Sequence, residues 1–572
     1  MRRPYQTVWL APAPAGRQLG LDAGPRGRTP RAARIAGLLG WLIGLLGYLI
    51  VLLLPVGCAS AQAVDPAARR ITLAMATEPP SLNTLQATDS ESFFVLSHVM
   101  EGLTQYDANG ALVPGVAERW QIDADGATFW LRPDARWSDG QAVTAEQFVY
   151  AWQEALDPAT GAPYASILYP LRHARAINTG QLPKSALAVT APDALTLRIE
   201  FEGPCPYFLG LTAFATYFPR RPDIVEQFGQ RFAAEATTMV YNGPYQLQQW
   251  VHGASLRMVG NPHYWDRERL AIDTIDVPYM TTSTQSTLNL FKDGAIAYTA
   301  LDEQTLKEAV AQGYPVRRFR NGVIYYIQHN MRAGRATANR ELRLAMQAIF
   351  SSDTLVNKVI AMPGNRPLYS LFPSTVGGVD APFQQEYPAL RSSADLAKAR
   401  AHIAQARREF GGELPAITLL VSEAPVSVRI GEYLQNLFRQ ALGLSIRLDK
   451  QIFKQRIAKM QSGDFDMVLA GWGPDFDDPI TYGDLFASWN DNNRGGYRSA
   501  QYDQWVAQAQ QSRDPRIRMA AMAQLQRILQ EDAAILPLFE GASAYLQHPS
   551  LRAVTRTLFG GDPSYKFARL VE

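Results

Sequence analysis

Residues 471–479, Gly-Trp-Gly-Pro-Asp-Phe-Asp-Asp-Pro, combine one indole ring with three carboxylates. A ring face beside a carboxylate suits a partly desolvated cation such as an ammonium group. Asp477 and Asp478 fit equally the ordinary role of capping the turn and helix that follow. Asp475, three residues after Trp472, is the candidate for binding an amine. Its alternative role is to cap the following turn or helix.

Sequence motifs for catalysis are absent. No nucleotide-binding loop, zinc-protease motif, paired redox cysteines or serine-nucleophile motif occurs. The histidines are never within four positions of one another, so no local zinc site can be assigned. The sequence therefore predicts no catalytic residue, no metal and no cofactor, and the chain is expected not to be an enzyme. An extracytoplasmic hydrolase, the rival class, needs a nucleophile or metal site assembled from distant residues.

The net charge of +2 hides an uneven distribution. Residues 1–61 hold seven of the 55 basic residues and one of the 53 acidic residues, which leaves 48 basic and 52 acidic residues, or −4, in the remainder. That balance predicts no nucleic-acid partner. Cys58 and Cys205 are the two cysteines. Loss of Cys58 by processing leaves no disulfide partner, and Cys205 is interpreted as a packed small residue.

The N-terminal region carries an apolar run, 37–57, behind three closely spaced arginines, which is the order of a secretory signal. Residues 1–61 are therefore predicted to be an export segment and the protein to be periplasmic. Three outcomes stay open: cleavage near Ala61, lipidation of Cys58, and retention of 37–57 as an anchor, because the run approaches the ~20 residues that span a bilayer. Retention favours a membrane-tethered sensor or chaperone.

Two kinds of element pattern follow the export segment. Thr144 and Gln147 have capping-box spacing and predict a helix over 144–156. Alternating apolar and polar residues over 187–201 predict a hairpin, so the region around 100–222 is expected to be rich in antiparallel strands. From 395 onward, helices and strands alternate, which predicts a largely parallel sheet with 471–479 leaving the end of a strand. The predicted elements are helices 396–410, 426–442 and 453–461 and strands 416–421, 444–449 and 465–470.

Several spaced motifs then occur in order: EPPSLN (78–83), EGL (101–103), PGVAERW (114–120), LRPDARWSDG (131–140), PYAS (163–166), NGPY (242–245) and AGW (470–472). With these motifs the chain resembles the oligopeptide-binding proteins of bacterial ABC importers, in the peptide and nickel class of extracellular solute-binding proteins. The resemblance covers roughly residues 70–570.

The resemblance implies an α/β fold of the two-lobed, type II periplasmic-binding-protein kind, with an extra α+β domain inserted into the first lobe. The second lobe is expected over 322–544 and the inserted domain over 100–222. The first lobe is expected to be split into three segments, 62–99, 223–321 and 545–572.

The resemblance also implies a ligand and a site. Asp475 is expected to pair with a peptide's α-amine, and main-chain groups near Ser90 and Gly471-Trp472 to hold the peptide backbone. Aromatic side chains at Tyr164, Tyr325 and Phe453 are expected to line the cleft. Basic residues that some relatives use for the peptide carboxylate fall at Met460 and Leu469, so carboxylate recognition and peptide length stay open.

The implied function is non-enzymatic capture of short peptides and their delivery to an ABC permease with ATPase subunits at the inner membrane surface. A monomer is expected. The alternative within the same fold is a binder of another solute, such as a murein peptide, a bile acid or a metal chelate, because fold does not determine ligand.

Overall fold

The computed structural model describes residues 62–391 and 394–571. The predicted export segment, with Cys58 and the cleavage position at Ala61, lies outside the described residues. Within those residues, no helix has the length and apolar character needed to cross a membrane.

The strands of the structure are numbered in chain order. They are β1 (Val64–Asp65), β2 (Arg70–Met75), β3 (Thr104–Tyr106), β4 (Leu112–Pro114), β5 (Ala117–Ile122), β6 (Gly126–Leu131), β7 (Val189–Asp193), β8 (Thr196–Glu200), β9 (Tyr245–Val251), β10 (Ser255–Gly260), β11 (Thr274–Met280), β12 (Tyr298–Leu301), β13 (Arg317–His329), β14 (Arg366–Pro367), β15 (Ile417–Ser422), β16 (Ile446–Gln451), β17 (Met467–Trp472), β18 (Ile535–Gln547), β19 (Leu551–Arg552) and β20 (Arg569–Leu570).

The longer α-helices are numbered in the same way. They are α1 (Ser90–Val99), α2 (Ala145–Leu156), α3 (Thr284–Lys292), α4 (Glu303–Ala311), α5 (Arg340–Ile349), α6 (Leu396–Glu409), α7 (Pro425–Leu442), α8 (Phe453–Ser462), α9 (Ala500–Gln511) and α10 (Pro515–Glu531).

The described residues form three larger sheets and two two-stranded ones, β3-β4 and β19-β20. One has the order β1-β2-β11-β10-β9, and a second, smaller one has the order β5-β6-β8-β7 with antiparallel neighbours throughout. The third has the order β12-β18-β13-β17-β15-β16. Its central strands β13 and β18 are each 13 residues long and pair with one another over most of their length.

Local signals in the sequence account for several elements. Helix α2 begins with the predicted capping box: the Thr144 side chain accepts from the backbone at Gln147, and the Gln147 side chain accepts from the Thr144 N–H at 3.0 Å. Helix α7 ends where Gly443 takes a left-handed conformation with φ of 70°, a conformation that glycine adopts without steric penalty. The predicted hairpin is present as β7 and β8. Trp137 and Trp152 are fully buried in the core.

The prediction of a largely parallel sheet from residue 395 onward is wrong for the third sheet. Strands β15, β16 and β17 are parallel as expected, but β13, β18, β12 and β14 join them through antiparallel pairs, so the sheet is mixed. The antiparallel partners come from chain segments far from 395–472, and a local pattern of alternating helices and strands does not reveal them. Strand β17, at Met467–Trp472, has the predicted length of six residues but begins and ends two residues later than predicted. Gly471 and Trp472 belong to it because both pair with β13.

Candidate functional site

A cavity of about 750 Å³ lies at the end of β17. Its size falls within the ~300–1,000 Å³ typical of small-molecule sites. All seven side chains or backbone positions predicted for ligand contact line this one cavity: Ser90, Tyr164, Tyr325, Phe453, Gly471, Trp472 and Asp475. They come from α1, β13, α8, the end of β17 and two loops, so the tertiary structure brings together residues separated by up to 385 positions in the chain.

Asp475 lies beside the end of β17, because it and Trp472 are held by the same residue. The Trp472 indole Nε1 donates to the Thr481 carbonyl at 2.8 Å, and the Asp475 backbone N–H donates to Thr481 Oγ1 at 3.0 Å. The Tyr164 hydroxyl donates to Asp475 Oδ1 over 3.5 Å, and the Tyr164 ring stacks on Trp472 with centroids 6.1 Å apart. The Asp475 carboxylate therefore accepts one long hydrogen bond, from Tyr164, and lies beside the stacked rings of Tyr164 and Trp472.

No cation forms an ion pair with Asp475 among the residues that the structure describes. Burial raises the pKa of this carboxyl well above its usual value, and the nearby Asp484 carboxyl raises it further. Burial also raises the pKa of Asp484, to about 7. A positively charged ligand group at Asp475 would relieve this unfavourable environment, which makes the carboxylate a site for a cation.

The other two carboxylates of the loop have structural surroundings. Asp478 makes a two-pronged ion pair with Arg518, at 2.6 and 2.8 Å, and accepts the N–H of Ile480 at 2.9 Å. Asp477 is exposed. Neither residue lines the cavity. Of the three loop carboxylates, Asp475 is the one directed to the cavity, as the sequence pattern favoured.

The edge of β17 that borders the cavity is partly open. Strand β13 pairs with β17 from Met467 to Trp472, whereas β15 pairs only with Met467 and Val468. Residues 469–472 therefore have a strand partner on one side. An open strand edge of this kind accepts an extended peptide as an added strand.

Aromatic rings form two further parts of the cavity wall. Tyr325 stacks on Phe539 with centroids 4.5 Å apart and an interplanar angle of 13°. The same ring approaches Gly471 so closely that a Cβ there would lie 3.1 Å from a ring carbon, so a larger residue would require the ring to shift. Phe453, at the start of α8, lies under the guanidinium of Arg456 at 5.3 Å.

The cavity also contains residues that the sequence did not single out. Arg456 and Arg494 both line it, and burial lowers the pKa of each guanidinium. Arg456 lies one helical turn before Met460 on α8. This i, i+4 spacing places both side chains on one face of the helix, and it is the sequence feature that could have identified Arg456 as a cavity residue. Met460 and Leu469, where basic residues are missing, line the cavity as well.

The described residues contain no group of three histidine, cysteine or acidic side chains able to hold a metal ion. Cys205 is buried, and burial raises the pKa of its thiol, as suits a packed residue.

Comparison with known proteins assigns the chain to a family. Residues 111–494 match the model of the bacterial extracellular solute-binding proteins, family 5, middle region. The chain belongs to this family. The periplasmic oligopeptide-binding protein OppA of Salmonella typhimurium is 30% identical over 475 residues, which cover 81% of this chain and 85% of the relative.

Two solved structures of the family share the fold. The substrate-binding domain of an oligopeptide ABC transporter from Bacillus anthracis has a TM-score of 0.84 at 30% identity, covering 88% of this chain and 99% of its own. Listeria monocytogenes OppA, solved bound to peptide, has a TM-score of 0.83 at 27% identity, covering 88% of this chain and 100% of its own. The predicted two-lobed, type II binding-protein fold is confirmed.

Proposed function

We propose that this chain is the solute-binding component of an ABC importer and captures short oligopeptides in the cavity at the end of β17. The observation that carries the proposal is the partly buried Asp475 carboxylate, which has no cation partner among the described residues and lies next to an open strand edge. A peptide supplies both complements at once: its α-ammonium group for Asp475 and its backbone for residues 469–472. The relatives named for oligopeptides, and the Listeria protein bound to peptide, support the same ligand.

We propose that Asp475 receives the amine, that Gly471, Trp472 and Ser90 contribute main-chain contacts, and that Tyr164, Tyr325 and Phe453 enclose the side chains. Main-chain hydrogen bonds do not depend on the side chains of the peptide, so the site would accept peptides of many sequences. A bile acid has no ammonium group to pair with the Asp475 carboxylate.

Capture would use closure of two lobes. The proposed first lobe comprises 62–99, 223–321 and 545–572, with 100–222 inserted, and the second comprises 322–544. Both long central strands run across the proposed borders: β13 across 321/322 and β18 across 544/545. Two paired strands that join the lobes form a hinge of the kind used in domain closure.

Titration calorimetry of protein freed of bound ligand by unfolding and refolding tests the proposed function. Free tripeptides such as trialanine are expected to bind, and their N-acetylated forms to bind at least about 30-fold more weakly, because acetylation removes the charge partner of a buried carboxylate. Equal affinity for free and acetylated peptides would contradict the proposed role of Asp475. Mass spectrometry of ligand that co-purifies with the native protein identifies a different solute if one is bound.

The raised pKa of Asp475 predicts that peptide binding releases protons. Between the ordinary pKa of an aspartate and the raised value, the unliganded carboxyl holds a proton. A bound ammonium group favours the charged form, lowers the pKa and expels that proton, so affinity rises as pH rises through this window and falls as pH drops. Calorimetry in buffers of different ionisation enthalpy measures the release. Asp475→Asn should abolish this component, and unchanged release in that variant would overturn its assignment.

We further propose that the mature protein works outside the cytoplasm as a monomer without enzymatic activity, and delivers peptides to a membrane permease driven by ATPase subunits. The family is one of extracellular solute-binding proteins. N-terminal sequencing and mass spectrometry of the mature chain distinguish cleavage near Ala61, lipidation of Cys58 and retention of 37–57.

A further inference from the structure

Arg456 is a cavity cation with unused hydrogen-bonding capacity. Its Nη1 donates to Met460 Sδ at 3.3 Å and to the Leu469 carbonyl at 3.1 Å. Its Nε is buried and meets no hydrogen-bond partner among the described residues. A guanidinium presents five N–H donors in a planar fork, and leaving a buried one unpaired is unfavourable. The group is therefore poised for an acceptor that the described protein atoms do not supply.

The other arginines of the cavity have side-chain partners, although Arg556 Nη1 is, like Arg456 Nε, a buried donor without a partner among the described residues. Arg429 pairs with Glu303 at 3.4 Å, and Arg494 donates to the Asn492 side chain at 2.8 Å. Arg556 makes a two-pronged ion pair with Asp562, at 2.7 and 2.8 Å. Arg456 forms no ion pair with any described carboxylate, although Glu91 and Asp89 on the side of α1 are near enough to favour its charged form.

The positions of Asp475 and Arg456 along β17 indicate how long a peptide must be to reach both side chains. Asp475 lies beside Trp472 at one end of the open edge of β17, and the Arg456 guanidinium is bonded to Leu469 at the other end. From Trp472 to Leu469 there are three residue steps, or about 10 Å at ~3.3 Å per residue in a strand. An extended tripeptide has about the same length.

We propose that Arg456 receives the C-terminal carboxylate of the bound peptide and thereby makes this cleft selective for peptides of about three residues. The proposal rests on the peptide-binding function proposed above. The carboxylate would accept from the spare N–H groups of the guanidinium, and a charge-assisted pair of this kind is stronger than a neutral hydrogen bond. Arg456 thus occupies the space between Met460 and Leu469, where a basic side chain is missing. A longer peptide would carry its carboxylate past the guanidinium, and a dipeptide would fall short.

Calorimetry with di-, tri-, tetra- and pentaalanine, and with the C-terminal amide of trialanine, tests the proposal. Wild-type protein is expected to bind trialanine best and its amide at least about 30-fold more weakly, since amidation removes one partner of a buried charge pair. Arg456→Gln should bind the acid and the amide within about threefold of each other and should lose the maximum at three residues. Lys454→Gln removes the same charge from an exposed position on the same helix and should retain the wild-type profile.

The comparison of acid and amide in wild-type protein does not depend on the folding of any variant. Equal binding of the acid and the amide, or an equally strong preference for the acid in Arg456→Gln, overturns the role of Arg456 while leaving peptide capture intact. Absence of binding to every peptide of the series overturns the proposed function and this inference together.

Discussion

Replacing Asp475 by alanine is expected to weaken trialanine binding by about 2–5 kcal/mol, or roughly 30-fold to several thousandfold, because it removes one partner of a desolvated charge pair. The α-ammonium group would then enter the cavity beside Tyr164 and Trp472 without a counter-ion. Titration calorimetry on refolded, ligand-free protein measures the loss.

The matched control is Asp477→Ala, which removes a carboxylate two residues away that is exposed and does not line the cavity. Its trialanine affinity should stay within about threefold of the wild-type value, since exposed charges contribute little. Unchanged affinity of Asp475→Ala would show that the amine is bound elsewhere. A similar loss in both variants would mean that only the overall charge of the loop matters.

Replacing Arg518 by methionine is expected to lower the free energy of unfolding by about 3–5 kcal/mol. The side chains of Arg518 and Asp478 are each only 9% exposed, so the substitution leaves the buried Asp478 carboxylate without its ion-pair partner. It also removes the hydrogen bond from Arg518 Nε to the Ala509 carbonyl, 2.9 Å long, which ties α10 to α9. The midpoint and slope of urea unfolding measure the effect, in the presence and absence of trialanine.

Two comparisons isolate the buried charge. Arg527→Met, on the same helix, breaks the exposed pair with Glu531 and should change stability by less than about 1 kcal/mol. Combining Arg518→Met with Asp478→Asn removes both charges and should recover about half or more of the loss. If the single variant loses less than about 1 kcal/mol, the pair does not stabilise the fold as its burial indicates.

The Arg518–Asp478 pair also links stability to the site. Asp478 lies three residues after Asp475, and its carboxylate is held by a helix that contributes no side chain to the cavity. A loop anchored in this way presents Asp475 and Trp472 in one arrangement, which limits the ordering that peptide binding must bring about.

Local physical chemistry made much of this fold predictable from sequence. The capping box at Thr144 and Gln147, the terminating Gly443 and the turn between β7 and β8 act over a few residues, so their signals lie within short windows. Asp475 was identifiable for a similar reason, because it follows Trp472 by three positions. The spaced motifs from 78–83 to 470–472 indicated the family and, with it, the two-lobed fold that the comparisons confirm.

The tertiary structure decided what depends on contacts between distant segments. The mixed order of the third sheet follows from β13 and β18 pairing across more than two hundred residues, which no local periodicity encodes. Gly471 and Trp472 belong to a strand because β13 extends that far, and the open edge beside them exists because β15 pairs only with Met467 and Val468. Arg456 was inconspicuous in the sequence for the same reason. Its unpaired Nε becomes significant only when helix α8 and strand β17 enclose it, since burial, and not residue type, makes an unsatisfied donor unfavourable.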